Sequence, residues 1–187
     1  MHTGAITKRE VPCDALVSPK YKTLDKLPQG AKVGTSSLRR QAQLLHHRPD
    51  LQINVLRGNV QTRLRKLEEE NFDAIVLAQA GLKRLGLADQ ITQVFTADEL
   101  IPAVGQGALA IECRSDDQEM LDMLAKLNDE DTMWCTRGER SFLRQLQGGC
   151  QVPMGVHGTI HKGQLTLKAI ISSLDGKNCY EGELTGP

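Results

Sequence analysis

The chain carries no excess charge of either sign: Lys+Arg and Asp+Glu stand equal at 23 each. Nothing in that balance suggests a nucleic-acid coat or a protein that spreads on a membrane surface. No stretch approaches the uninterrupted apolar run that a membrane helix requires, and Met1-His2-Thr3-Gly4 lacks the basic-then-apolar pattern of a secretory signal. A cytoplasmic protein with neither nucleic acid nor membrane as partner is expected. The five cysteines, Cys13, Cys113, Cys135, Cys150 and Cys179, are odd in number and scattered, which suits reduced thiols better than a disulfide framework. No two have CxxC spacing, His46-His47 diverge on a helix, and His157 and His161 lie at a strand end without acidic partners, so no metal site is expected. Internal repeats and low-complexity tracts are absent, and so are GxGxxG and GxxxxGK[ST], the loops that cradle dinucleotides and nucleoside triphosphates.

The chain has 187 residues, 40% of them hydrophobic, enough for one good domain or two small ones. Both ends read as cut. Ala5 to Glu10 resembles a strand with almost no lead-in, and Thr185-Gly186-Pro187 stops directly after another.

From Lys32 to about Leu87 short apolar runs alternate with helical periodicity, the pattern of βαβ units on a mainly parallel sheet. Strands are predicted at Lys32 to Gly34, Ile53 to Leu56 and Ala74 to Ala78. Helices are predicted from Ser36 to Leu45 and from Val60 to Glu69, the first opening on a serine cap. A glycine-rich apolar turn, Leu100 to Ala108, leads into a strand at Leu109 to Cys113. Helices follow at Gln118 to Leu127 and Thr132 to Leu146, the latter capped by Asp131 or Thr132. Beyond Cys150 the alternation at Val152 to Ile160, Gln164 to Ser172 and Cys179 to Leu184 predicts an antiparallel meander. The boundary between the α/β unit and this smaller α+β unit is expected at Asn128 to Asp131.

Three successive strands deliver basic residues to one edge of the predicted sheet. Arg39 and Arg40 follow the small residues Gly34-Thr35-Ser36-Ser37, where backbone N–H groups open a helix. Arg57 ends the next strand, with Arg63 a turn further on, and Lys83-Arg84 follow the third. Guanidinium forks in that number suit a ligand with several carboxylates. A thiol, Cys150, stands between Gly148-Gly149 and Gln151-Val152-Pro153, an odd place for a core-filling cysteine, whereas Cys113, Cys135 and Cys179 sit in periodic segments.

Taken in order, Val33 to Arg40, Leu56 to Asn59, Ala80 to Gly86, Pro102 to Gly107 and Gly148 to Pro153 resemble porphobilinogen deaminases (hydroxymethylbilane synthases) nearly end to end. The resemblance implies a periplasmic-binding-protein-like α/β domain with a parallel sheet, followed by a smaller α+β domain with a three-stranded antiparallel sheet. Residues 1–12 would be a remnant of a first domain, 13–101 a second domain with an arginine-lined cleft, 102–128 a return to the first, and 129–187 a C-terminal domain. It implies a dipyrromethane cofactor joined to Cys150 by a thioether, extended by four porphobilinogen molecules with loss of ammonia and released as hydroxymethylbilane. Ser37, Arg39, Arg40, Arg57, Arg63, Arg84 and Gln106 would bind the cofactor and growing chain, and the protein would be a monomer. The family's catalytic aspartate motif has no match here, and neither has its final helix. The expectation is therefore a truncated chain that is inactive alone. The competing reading is a non-catalytic polycarboxylate-binding module in which Cys150 stays a free thiol.

Overall fold

The computed structural model describes residues 2–146 and 152–186. Its elements run β1 (His2–Ile6), β2 (Asp14–Val17), β3 (Lys32–Gly34), α1 (Leu38–His47), β4 (Gln52–Asn54), α2 (Val60–Glu69), β5 (Ala74–Ala78), α3 (Gln79–Arg84), β6 (Gln93–Val94), β7 (Ala110–Cys113), α4 (Gln118–Ala125), α5 (Glu130–Gln145), β8 (Met154–His161), β9 (Gln164–Ser172) and β10 (Cys179–Gly186).

The central sheet has the order β4-β3-β5-β2-β6. The pairs β4–β3 and β3–β5 are parallel as expected, but β2 runs against both β5 and β6. Along β2 and β5 the side chains alternate between two buried cores. Leu16, Ala74 and Val76 join Val33, Leu44, Phe95 and Leu100 on one face, and Ala15, Val17, Ile75 and Leu77 meet Leu56, Leu67, Phe72 and Leu82 on the other. Period-two alternation between two apolar layers gives a sheet with both faces covered by helices and loops.

A two-stranded antiparallel ribbon, β1 with β7, carries α4 and is joined to the central sheet by two crossing segments. They hold each other through Thr7 N–H to Leu109 O (3.0 Å) and Glu10 N–H to Gly107 O (3.0 Å). Gly107 has φ +85, and a Cβ there would run into the Glu10 carbonyl, so only glycine fits this crossing. The last unit is the expected antiparallel meander β8-β9-β10 with α5 packed against β8 and β9.

Several boundaries differ from the sequence reading. The first strand lies at His2–Ile6 rather than from Ala5 to Glu10, because Glu10 has already entered the crossing. The strand placed at Ile53 to Leu56 ends at Asn54, Val55 turning outward. Helix α5 begins two residues early, since Asp129, not Asp131 or Thr132, accepts the Thr132 N–H at 2.9 Å. Strands β2 and β6 were not foreseen.

Candidate functional site

The parallel strands β3 and β5 end at one edge of the central sheet. Because β2 is reversed, its first residue, Asp14, pairs with Ala78, the last residue of β5. A carboxylate is thereby set among the arginines that follow the strand ends. Asp14 is fully buried. Its Oδ1 accepts from Arg40 Nε (3.0 Å), Arg40 Nη2 (2.8 Å) and Gln106 Nε2 (2.9 Å). Arg39 Nη2 lies 2.8 Å from Oδ2, close enough for an ion pair but off the line of a hydrogen bond, which leaves Oδ2 without a donor among the described residues.

Both guanidiniums are anchored further. Arg39 Nη1 donates to Ile101 O (2.8 Å) and Nη2 to Gln106 Oε1 (3.4 Å), and Arg40 Nη1 donates to Val76 O (3.1 Å). Burial pushes the Asp14 carboxyl up, but Arg39 and Arg40 outweigh it and hold the group below the ordinary carboxylate range. Burial lowers the Arg39 pKa, and Asp14 opposes that shift. Two guanidiniums against one carboxylate leave a net positive charge in a dry place. The Nε of Arg39 is buried with no acceptor among the described residues.

In front of this cluster lies a cavity of about 550 Å³. The start of α1 contributes Ser36, Ser37, Arg39 and Arg40, and α2 contributes Arg63. Ser37 caps α1, accepting the Arg40 N–H at 3.4 Å. Arg63 is braced by Nε donating to Gly58 O (2.8 Å), and burial, then the neighbouring Arg40, lowers its pKa. The rest of the wall comes from Ala103 and Val104 of the crossing and from Arg140, Leu143, Val152 and Met154 of the C-terminal unit. Among the described residues, four arginines and no carboxylate line the space. Arg57 and Arg84 are exposed and do not line it, although Lys83 next to Arg84 pairs with Glu10 at 3.4 Å. Cys150 lies outside the described residues, two positions before the lining residue Val152.

A second buried carboxylate, Glu139 on α5, ties the three parts together. It takes Arg9 from the first crossing segment (Nη1 to Oε1, 2.5 Å), the Gly105 N–H from the second (2.6 Å) and the Gly158 N–H of β8 (2.8 Å). His157 Nδ1 stands 3.8 Å from Oε1, so this histidine, read from sequence as lacking an acidic partner, has one. Its position on β8 opposite α5 could not be inferred from neighbours in sequence. No group of three metal-ligating side chains occurs among the described residues, and no helix there is long and apolar enough to cross a membrane.

Asp14, Glu139 and Arg140 are the site residues that the sequence reading missed. Asp14 heads a four-residue buried strand, and Glu139-Arg140 follow the one glycine of α5, Gly138, which fits closely beneath Leu165 and Leu167.

The family model described as porphobilinogen deaminase, dipyromethane cofactor binding domain, matches residues 1–122, and that described as porphobilinogen deaminase, C-terminal domain, matches residues 133–187. Among curated relatives, the porphobilinogen deaminase of Syntrophotalea carbinolica is 53% identical over 182 residues, covering 97% of this chain and 58% of that protein. That of Brevibacillus brevis is 54% identical over 184 residues, covering 98% and 60%. Among solved structures, a periplasmic binding protein of Salmonella typhimurium with high arginine specificity aligns at 16% identity and a TM-score of 0.42, covering 75% of this chain and 63% of that one. The chain thus spans somewhat under two thirds of the length of the curated relatives it matches. With matches of this strength across nearly all of its residues, the chain belongs to the porphobilinogen deaminase family.

Proposed function

We propose that this chain is the arginine-cleft and C-terminal portion of a transferase of tetrapyrrole biosynthesis. The enzyme condenses four porphobilinogen molecules head to tail, with loss of ammonia, into hydroxymethylbilane. The observation that carries the reading is the cavity before α1, lined among the described residues by four arginines and no acid. Family membership favours the transferase over a simple polycarboxylate-binding module. The same reading divides the chain into residues 1–12, 13–101, 102–128 and 129–187, the last three of which all contribute to the cavity wall.

A dipyrromethane on Cys150 would supply a pyrrole α-carbon from which the chain is extended. The residues present suit such a group: its side chains are acetates and propionates, and the cavity offers the buried Arg39 Nε, which has no acceptor among the described residues, the braced Arg63 and the N-terminal end of α1. Asp14 acts on that set from behind. It fixes the planes of the Arg39 and Arg40 guanidiniums, which therefore need no reorganisation when an anion arrives. Gln106 joins Asp14 to Arg39 and so links the crossing segment to the anion site. Leu143, Val152 and Met154 make the remaining wall apolar and keep water from competing for the arginines. Arg57 and Arg84, exposed after β4 and at the end of α3, would meet the outer carboxylates of a longer chain. No residue of the chain is assigned as the catalytic carboxylate. The reading implies a soluble monomer of the cytoplasm.

Intact-mass measurement of the purified chain, with peptide mapping around Cys150 and a Cys150→Ala control, tests the reading. A dipyrromethane-sized increment on Cys150 that disappears in the control is expected. An unmodified thiol in chain co-produced with a porphobilinogen supply would count against it.

A further inference from the structure

Glu139 gathers four donors where the crossing segments meet the C-terminal unit. Its Oε1 accepts from Arg9 Nη1 (2.5 Å) and the Gly158 N–H (2.8 Å), and its Oε2 from the Gly105 N–H (2.6 Å) and Arg9 Nη2 (3.3 Å). A carboxylate offers about four lone-pair sites, so this one is full. His157 of β8 stands outside the set. Its Nδ1 lies 3.8 Å from Oε1, beyond hydrogen-bond reach, and is buried without a partner among the described residues. The charges facing the ring are already paired. Glu139 of α5 is bound to Arg9 of the first crossing segment, and Lys168, opposite His157 in the β8–β9 ladder, is bound to Asp98. Cys135 of α5 packs against Gly158, and burial pushes its thiol up to about 11, which keeps it neutral. A proton on His157 therefore adds unmatched positive charge beside a carboxylate that has no site left to receive it.

We propose that His157 is a proton-operated release at this junction: on taking up a proton it draws the Glu139 carboxylate toward β8 at the expense of Arg9 and Gly105, and so loosens the crossing segments from the C-terminal unit. The donors that give way are the ones with alternatives. Arg9 keeps the Gln106 carbonyl as an acceptor for its Nε (2.9 Å), and Gly105 lies in a half-buried turn that water can reach. Gly158 is next to His157 on the same strand and moves with it, so its bond to Glu139 persists. Glu139 remains ionised where histidines titrate, between about pH 5 and 8, because its carboxyl is held below 4.5. The release reaches beyond the junction, since Gln106 follows Gly105 and ties the same segment to Asp14 through its Nε2 (2.9 Å). No bound ligand is needed for the device to work.

The test is amide hydrogen exchange of the whole chain at pH 8 and pH 5.5, corrected for the intrinsic pH dependence of exchange and read at Gly105 and Gly158. In the parent, protection of Gly105 is expected to fall about tenfold on acidification, the weight of one charge-assisted contact, while Gly158 keeps its protection. His157→Gln should abolish the fall at Gly105, and His161→Gln, which alters an exposed histidine at the end of β8, should leave it as in the parent. Trp134 fluorescence verifies that each variant is folded. Ring-nitrogen NMR of the parent needs no variant and reads whether His157 Nδ1 gains a proton over the same range. Protection of Gly105 that does not change with pH, a fall that survives in His157→Gln, or an Nδ1 that takes up no proton would each overturn the proposal.

Discussion

Asp14 shows how much one side chain can matter in a dry setting. A carboxylate flanked by two buried guanidiniums is costly to desolvate, and its removal leaves both arginines without a counter-charge. Asp14→Asn is therefore expected to destabilise the chain by about 3–5 kcal/mol in urea unfolding, far more than the loss of an exposed pair such as Arg65–Glu69. Glu139 is the second such residue. Burial pushes its carboxyl up, but the adjacent His157, the hydrogen bonds and charge of Arg9 and the Gly105 N–H bring it below the ordinary value of 4.5. A carboxylate depressed in the folded state contributes stability that is complete above its unfolded pKa and is lost as pH falls through the lower folded one. Glu139→Gln should thus cost about 3 kcal/mol at pH 7, with the gap to the parent closing below about pH 4, as read from urea midpoints at pH 7, 5 and 3. The arginines were legible in the sequence as basic residues following strands. That two of them are already compensated was not, because Asp14 reaches them only through the direction of a strand that shows no periodicity of its own.

At the scale of elements, glycines govern how closely the units approach. Gly155, on β8, lies so near the Ile101 and Pro102 carbonyls that a Cβ would stand 2.6 Å from the first and 3.0 Å from the second. The next residue, Val156, donates its N–H to Pro102 O at 3.0 Å. Gly155→Ala must push β8 away from the crossing segment and is expected to cost about 1–3 kcal/mol, with faster amide exchange at Val156 as the local sign. The helices α1 and α2 and the strands β3, β5 and β9 could be read from the sequence because each carries its own evidence: caps at Ser37 and Asn59, an amphipathic stripe, or an apolar run between turns. Strand β2 carries none. Asp14-Ala15-Leu16-Val17 is buried on both faces, so its polarity neither alternates nor has helical spacing, and its place between β5 and β6 is decided by tertiary contact alone.

Across the whole molecule, the C-terminal unit is held to the α/β unit by residues that do not line the cavity. The tip of the β9–β10 hairpin sits on α1, where His46 Nδ1 lies 3.0 Å from Gly176 O and Gln41 Nε2 donates to Leu174 O at 3.3 Å. Lys168 of β9 meets Asp98 at 2.5 Å. The helix that bears Arg39 and Arg40 is thus also touched by the sheet that follows Cys150 in sequence, and the two walls of the cavity are coupled through contacts outside it. Gly176 is the tightest of these: at φ +69 its Cβ would stand 2.5 Å from both Ala42 O and His46 N, so any side chain must lift the hairpin off α1. Trp134 on α5 is the only tryptophan and reports on the C-terminal unit alone, while the far-ultraviolet signal reports on both units. In the parent chain thermal transitions followed by the two signals should coincide, as in a single cooperative unit. In Gly176→Ala they should separate, the Trp134 transition moving to lower temperature. Coincident transitions at the parent's temperature would mean that the hairpin contact couples nothing, and that Glu139 and the crossing segments alone hold the C-terminal unit against the cleft.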